Sequence, residues 1–469
     1  MTKLSPWFHR IRDSIPTGAM VLVLVGTLMS GVRAIGQAVP AGEVPPGESN
    51  PTEPLLPGQS LGTNLSLNQG VNAINAENQS FERFGLGLSA SGGTQTNFLG
   101  TQTNQQNAAF AQFLADGGVM LRSSRTRYFL LYQPQYNWYP SYSVVNNFSQ
   151  TMFQSVAHDL SDRASFQWDT TAARYLSLNQ FLPQSLGIGG IGVVVPTLGA
   201  QLLQDSFELT NAATTLTYKY LINTRMTFQG TVTGAFFLMV PADVQSLGKN
   251  ITERFITSGA DLRLTYQLNL RDAVGGAITP VYVYGLTPTG HEAAETVQAT
   301  YSRELSPTWT AKVGAGPLFI QSSSGESGSF QDTSYALTGE LSRQLRQSQF
   351  GVNYSRAILV NLLEPAIVSN TVNANAYLGF GKSWIFTGSA TYTHFGANGI
   401  VYGPGHVYGG SAQMAYQVSK SVQLFALYSL LSESFGTAAN QPSLGFTRNQ
   451  FGGGIRFNLG NPITRGGVQ

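Results

Sequence analysis

Gly259-Ala-Asp-Leu-Arg-Leu-Thr-Tyr-Gln-Leu-Asn269 decides the fold of this chain. Leu262, Leu264, Tyr266 and Leu268 fall on every second position, and Asp261, Arg263, Thr265, Gln267 and Asn269 fill the positions between. Successive side chains of a β-strand point to opposite faces, so this stretch is a strand with one oily and one polar face. Arg225 to Ala235 reads the same way, with Met226, Phe228, Gly230, Val232 and Gly234 opposing Thr227, Gln229, Thr231 and Thr233. In 382–394, Trp384, Phe386, Gly388, Ala390 and Tyr392 oppose Thr387, Ser389, Thr391 and Thr393. The polar faces carry Thr, Ser, Gln and Asn where a soluble sandwich would carry Lys and Glu.

Composition says the same of the whole chain. Of 469 residues only 11% are charged, against about 25% in an ordinary soluble domain. Neutral polar residues and 52 Gly take up the difference. With 27 Phe, 20 Tyr and 5 Trp the chain is too aromatic for a disordered one. Beyond the N-terminus no run of about 18–20 apolar residues could form a membrane helix, and the mean hydropathy is −0.03. An all-β transmembrane antiparallel up-and-down barrel, apolar outside and polar inside, satisfies each of these facts. The alternating segments span about 10–14 residues, enough to cross a bilayer at a tilt.

Residues 1–38 read as a secretory signal. Lys3, His9, Arg10 and Arg12 precede the apolar stretch Ala19–Gly31, and Gly36-Gln37-Ala38 is a small-x-small cleavage site. Arg33 leaves an uncleaved anchor as the alternative. Cleavage would remove four of the 26 basic and one of the 24 acidic residues, leaving a net charge of −1. The sequence therefore implies no nucleic-acid partner. Without Cys there is no disulfide, thiolate metal site or thiol chemistry. Residues 39–83 begin Pro-rich, in 39–60, and read as a periplasmic linker and lead-in. Residues 84–459 form the barrel, and 460–469 a tail.

Short polar turns recur between alternating runs: His158–Arg163, Tyr266–Arg271, Arg303–Pro307 and Tyr416–Ser421, with looser copies at Tyr220–Arg225 and Leu341–Arg346. Longer connections are expected at about 140–147, 178–203, 241–253, 321–331, 396–406 and 433–444. Counting gives eighteen strands, with sixteen as the alternative because the first two segments and 272–286 alternate weakly. An even number puts both termini on the periplasmic side. Twelve outward aromatics, Tyr128, Tyr136, Trp138, Phe166, Trp168, Tyr218, Tyr220, Tyr266, Trp309, Trp384, Tyr392 and Tyr416, are expected in two girdles. The glycine pairs and the triplet Gly452–Gly454 are read as sites of barrel curvature.

These features together resemble a Gram-negative outer-membrane β-barrel of the porin-like kind. The last strand, Phe451 to Leu459, is similar to the aromatic-ended strand that barrel-assembly machinery recognises, although ten residues follow it. The resemblance implies a place in the cell outer membrane and contact with outer-membrane lipid and lipopolysaccharide. It also implies folding by the assembly machinery, and homo-oligomerisation as an option.

Projecting the alternation inward gives a candidate pore lining of Asp169, Lys219, Asp261, Arg263, Lys312, Glu340 and Arg456, whose mixed signs imply weak ion selectivity. The uncharged apolar stretch 178–203 is expected to fold inward as a constriction. His158, His291, His394 and His406 are scattered, and no zinc-protease, phosphate-loop or nucleophile-elbow motif occurs. His394 and His406 flank a loop with Tyr402 and Tyr408, a weak suggestion of metal that is set aside. No catalytic residue and no cofactor is expected. The leading function is passage of small hydrophilic solutes, limited sterically by 178–203 and by the polar lumen. An export component for polysaccharide or protein, and a lipase-like outer-membrane enzyme, stand as alternatives.

Overall fold

The computed structural model describes residues 84–97, 106–142, 146–178, 192–193, 206–241, 253–287, 289–324, 328–345, 348–361, 364–381, 383–395, 402–437 and 444–459. One sheet holds β1 (Phe84–Thr96), β2 (Ala108–Arg122), β3 (Thr126–Trp138), β4 (Asn147–Ser161) and β5 (Ala164–Leu178). It continues through β6 (Gly192–Val193), β7 (Ser206–Asn223), β8 (Met226–Pro241), β9 (Glu253–Gln267) and β10 (Asp272–Thr287). Next come β11 (Thr289–Ser306), β12 (Trp309–Ser324), β13 (Gly328–Leu345), β14 (Ser348–Asn361) and β15 (Glu364–Phe380). The last are β16 (Trp384–Phe395), β17 (Tyr402–Ser419), β18 (Val422–Thr437) and β19 (Leu444–Leu459).

Apart from the two-residue β6, each strand pairs antiparallel with its neighbours in sequence. The first and last strands then meet, from Leu86 opposite Leu459 to Thr96 opposite Asn449. The result is a closed eighteen-stranded antiparallel barrel, with no helix among the described residues. Closure leaves no unpaired strand edge, which is the condition for crossing hydrocarbon with strands. The weakly alternating segments 84–96, 108–121 and 272–286 are all full strands, so the count is eighteen and not sixteen.

The recurring turn motif has one local cause. Ser161, Asn223, Asn269, Ser306 and Ser419 each accept, through a side-chain oxygen, the amide of the residue two positions on. Asn269 Oδ1 also takes the Asp272 amide at 2.9 Å. A short polar side chain that mimics a backbone turn is why Asn and Ser stand at these points. At the β15–β16 turn Gly381 has φ +64°, which a side chain would strain. All these turns lie at one end of the barrel, and the pairing of Leu86 with Leu459 brings the first and last strands to that same end.

Two expectations need correction. Apart from β6, strands run from 12 to 18 residues, longer than the alternation alone indicated. The stretch 321–331, read as a long loop, is largely strand, since β12 reaches Ser324 and β13 begins at Gly328. Its Ser- and Gly-rich composition weakens the apolar alternation without breaking the ladder, because ladder bonds are made by backbone.

Candidate functional site

The two faces of a closed sheet are physically unequal: side chains crowd on the concave face and splay apart on the convex one. In β9, Leu262, Leu264 and Tyr266 are exposed at 44%, 42% and 39%, whereas Asp261 between them is 5% exposed. The oily face is therefore the outer one and the polar face lines the barrel. Carried through the strand registers, this parity places all twelve expected aromatics on the outer face. Trp384 and Tyr416 pack 4.7 Å apart beside the short turns, and Tyr392 and Tyr408 pack 4.9 Å apart towards the far end.

All seven expected lining charges fall on the inner face, and the structure pairs most of them. Arg263 Nε donates to Asp261 Oδ1 at 2.6 Å along one strand. Lys312 reaches across to Glu340 at 3.2 Å. Asp169 accepts two hydrogen bonds from Gln167 Nε2, at 3.1 and 2.9 Å, and one from the Ser155 side chain. Lys219 stands opposite Ser165 and Gln229 in the register. Arg456 donates to both carboxylate oxygens of Asp116, at 2.8 and 2.9 Å, and to Asn458 Oδ1 at 3.0 Å.

Asp116 was not among the expected residues. It lies on β2 and Arg456 on β19, so their ion pair bridges β1 between them. Gly87 of β1 makes the bridge possible, because a Cβ there would lie 2.5 Å from both Asp116 carboxylate oxygens. The carboxylate is 0% exposed and the guanidinium 8%. The signal for Asp116 was its parity with Gln112, but β2 also buries Phe110 and Leu114 on that face, which hides the polar pattern.

The inner wall is not polar throughout. Above the polar lower part, Phe110, Phe237, Val281, Val283, Leu318, Ile320, Val407, Leu431 and Phe446 are apolar and buried on the inner face, interspersed with buried polar side chains such as Gln112, Thr257, Thr296 and Arg448. Each stands roughly 9–13 residues from the short-turn end of its strand. The largest fully buried side chains, Phe237, Leu318, Leu431 and Val283, all belong to this apolar set. Tyr139, just beyond β3, closes on Phe110 with ring centroids 6.5 Å apart. Burial pushes its phenol up to about 12, against the opposing pull of Arg448.

Of the expected constriction 178–203, Leu178 and Gly192–Val193 are described, and the rest lies outside the described residues. Gly192 and Val193 pair in parallel with Leu359 and Val360 at the far end of β14. β14 stands eight strands round the sheet from β5, nearly opposite it. His394 and His406 come together with rings 4.7 Å apart, on the outer face and not in a loop. No third His, Asp or Glu joins them as a metal ligand among the described residues.

No family model matches this chain, and no curated protein does. Solved structures do. The FrpB iron transporter of Neisseria meningitidis is similar at 9% identity and a TM-score of 0.44, over 81% of this chain and 83% of that one. OccK2 (OpdF) of Pseudomonas aeruginosa is similar at 10% identity and a TM-score of 0.41, over 81% of this chain and all of the other. The siderophore receptor PirA of Pseudomonas aeruginosa is similar at 7% identity and a TM-score of 0.38, over 81% and 80%. At these values the likeness carries no inference about activity.

Proposed function

We propose that the chain is an outer-membrane channel for small hydrophilic solutes. The observation that carries this reading is the inverted amphipathicity of a closed eighteen-stranded barrel. Its convex face presents aromatic and aliphatic side chains, and its concave face, over the part nearer the short turns, presents hydroxyls, amides and paired charges. Barrels of 16–18 strands enclose an aqueous passage, whereas small barrels are filled by their own side chains. Lumen charges that pair within the wall, as Asp261 with Arg263 and Lys312 with Glu340 do, leave little net field to select ions. Selection then rests on size, with 178–203 as the steric limit.

The test is single-channel conductance of the folded full-length protein in a planar bilayer. Discrete steps with a weak ion preference are expected, and larger steps after deletion of 179–205. Heat-modifiable, folded protein that inserts but passes no current would overturn the proposal.

A further inference from the structure

Among the described residues, the outer face holds a cluster that a hydrocarbon-facing surface does not explain. Arg356 on β14 shares its parity with Phe350, Val352 and Tyr354, so its guanidinium faces outward. It lies 4.1 Å over the Tyr335 ring, and its Nη1 donates to Asn370 Oδ1 at 3.2 Å. Tyr354 Oη donates to the same oxygen at 2.9 Å. Asn370 is paired with His394, and His394 with His406, so the row continues across β15, β16 and β17. His406 Nδ1 meets Tyr392 Oη at 2.9 Å.

Among the described residues the cluster has no counter-charge. Arg356 Nε and His394 Nδ1 have no protein partner, and no carboxylate among the described residues pairs with Arg356. The contrast is Arg174, also outward and near the far end of its strand, which forms an ion pair with Glu208. A cation facing lipid without an anion is costly at mid-membrane and favourable only where headgroups supply the charge.

Its height fits that condition. Asn370 and His394 lie ten residues along their strands from Phe380 and Trp384 at the short-turn end. At about 3.3 Å per residue and a tilt of about 40°, that is roughly 25 Å, the height of the apolar band of such barrels. The cluster therefore stands at the outer-leaflet headgroup level, on the side opposite the short turns.

We infer that Arg356, Asn370, His394 and His406 form a binding site for the phosphate of a phosphorylated glycolipid in the outer leaflet. The arginine guanidinium supplies charge-assisted donors to phosphate oxygens, imidazole N–H groups can donate beside it, and the tyrosines supply the amphipathic flank that interfacial lipid favours. The inference rests on the barrel standing in an outer membrane and not on solute passage, so a barrel that conducts nothing would still bind.

The test titrates the folded full-length protein, in zwitterionic detergent, with diphosphorylated lipid A, with the same lipid A after dephosphorylation, and with inorganic phosphate. Lipid A should bind, dephosphorylated lipid A at least about tenfold more weakly, and inorganic phosphate negligibly at the same concentrations. Arg356→Gln should weaken lipid A binding by at least about tenfold without changing heat-modifiability. Arg343→Gln removes an outward arginine that lies over Trp309 at the short-turn end, and should leave binding unchanged. Equal binding of both forms of lipid A, equal effects of the two arginine variants, or equal binding of free phosphate would each overturn the site. Should Arg356→Gln fail to fold, the pair His394→Gln and His406→Gln takes its place, with the same tenfold loss expected.

Discussion

Removing one partner of the Asp116–Arg456 pair should be among the most damaging substitutions in the barrel. The Asp116 carboxylate is fully buried and receives two bonds from one guanidinium nitrogen. Asp116→Ala leaves Arg456 buried with Asn458 Oδ1 as its remaining acceptor, a neutral one. Breaking a buried pair from one side costs about 3–5 kcal/mol, mostly the desolvation of the charge left behind. The position adds to this, because the pair ties β19 to β2 across β1, where the barrel closes. The double variant Asp116→Leu with Arg456→Met removes both charges and should recover most of the loss. Urea unfolding in lipid vesicles, followed by tryptophan fluorescence, measures all three proteins. A single-variant loss below about 1 kcal/mol, or a double variant as unstable as the sum of the singles, would show that this pair is hydrated and does not clasp the seam.

Other outcomes follow from the same geometry. Leu264→Arg puts a cation on the lipid face and should cost about 2–4 kcal/mol in the same unfolding assay. Arg263→Leu should not be silent either, because it strands the Asp261 carboxylate, 8% exposed, beside the lumen; reversal potentials in a salt gradient should shift towards cations. Lys312→Met should shift them the same way by leaving Glu340 unpaired by Lys312, whereas Lys312→Met with Glu340→Gln should restore the original preference. Asn269→Ala removes the acceptor of two turn amides and should cost about 1–2 kcal/mol, with conductance unchanged.

What could be read before the structure, and what could not, follows from the physics of each signal. The strand around 259–269 was legible because its two faces meet different solvents, and a period of two records that difference directly. The turn at Asn269 was legible because its bonds close within three residues. Asp116 was not, since its partner lies 340 residues away and becomes a neighbour only when the barrel closes. The apolar residues of the inner wall were missed for a related reason. Residues such as Phe237 and Leu318 follow outward apolar residues, so both faces become oily and the alternation fades. Arg356 was available to the alternation, sharing parity with Phe350 and Val352. A search for inward charges alone passes over a charge that faces lipid.

One face of each barrel strand meets lipid and the other meets the lumen. The chain contains no cysteine, so a single introduced thiol carries a unique label. Nitroxide labels placed one at a time at Ala260, Asp261, Leu262, Arg263, Leu264, Thr265 and Tyr266, in the protein folded into vesicles, report which medium each position touches. Positions 260, 262, 264 and 266 should relax fastest with dissolved oxygen, which concentrates in hydrocarbon. Positions 261, 263 and 265 should respond to a water-soluble paramagnetic complex, if at all, and never mainly to oxygen. A period of two with this phase is the predicted result; the opposite phase, or one pattern shared by both faces, would contradict the account.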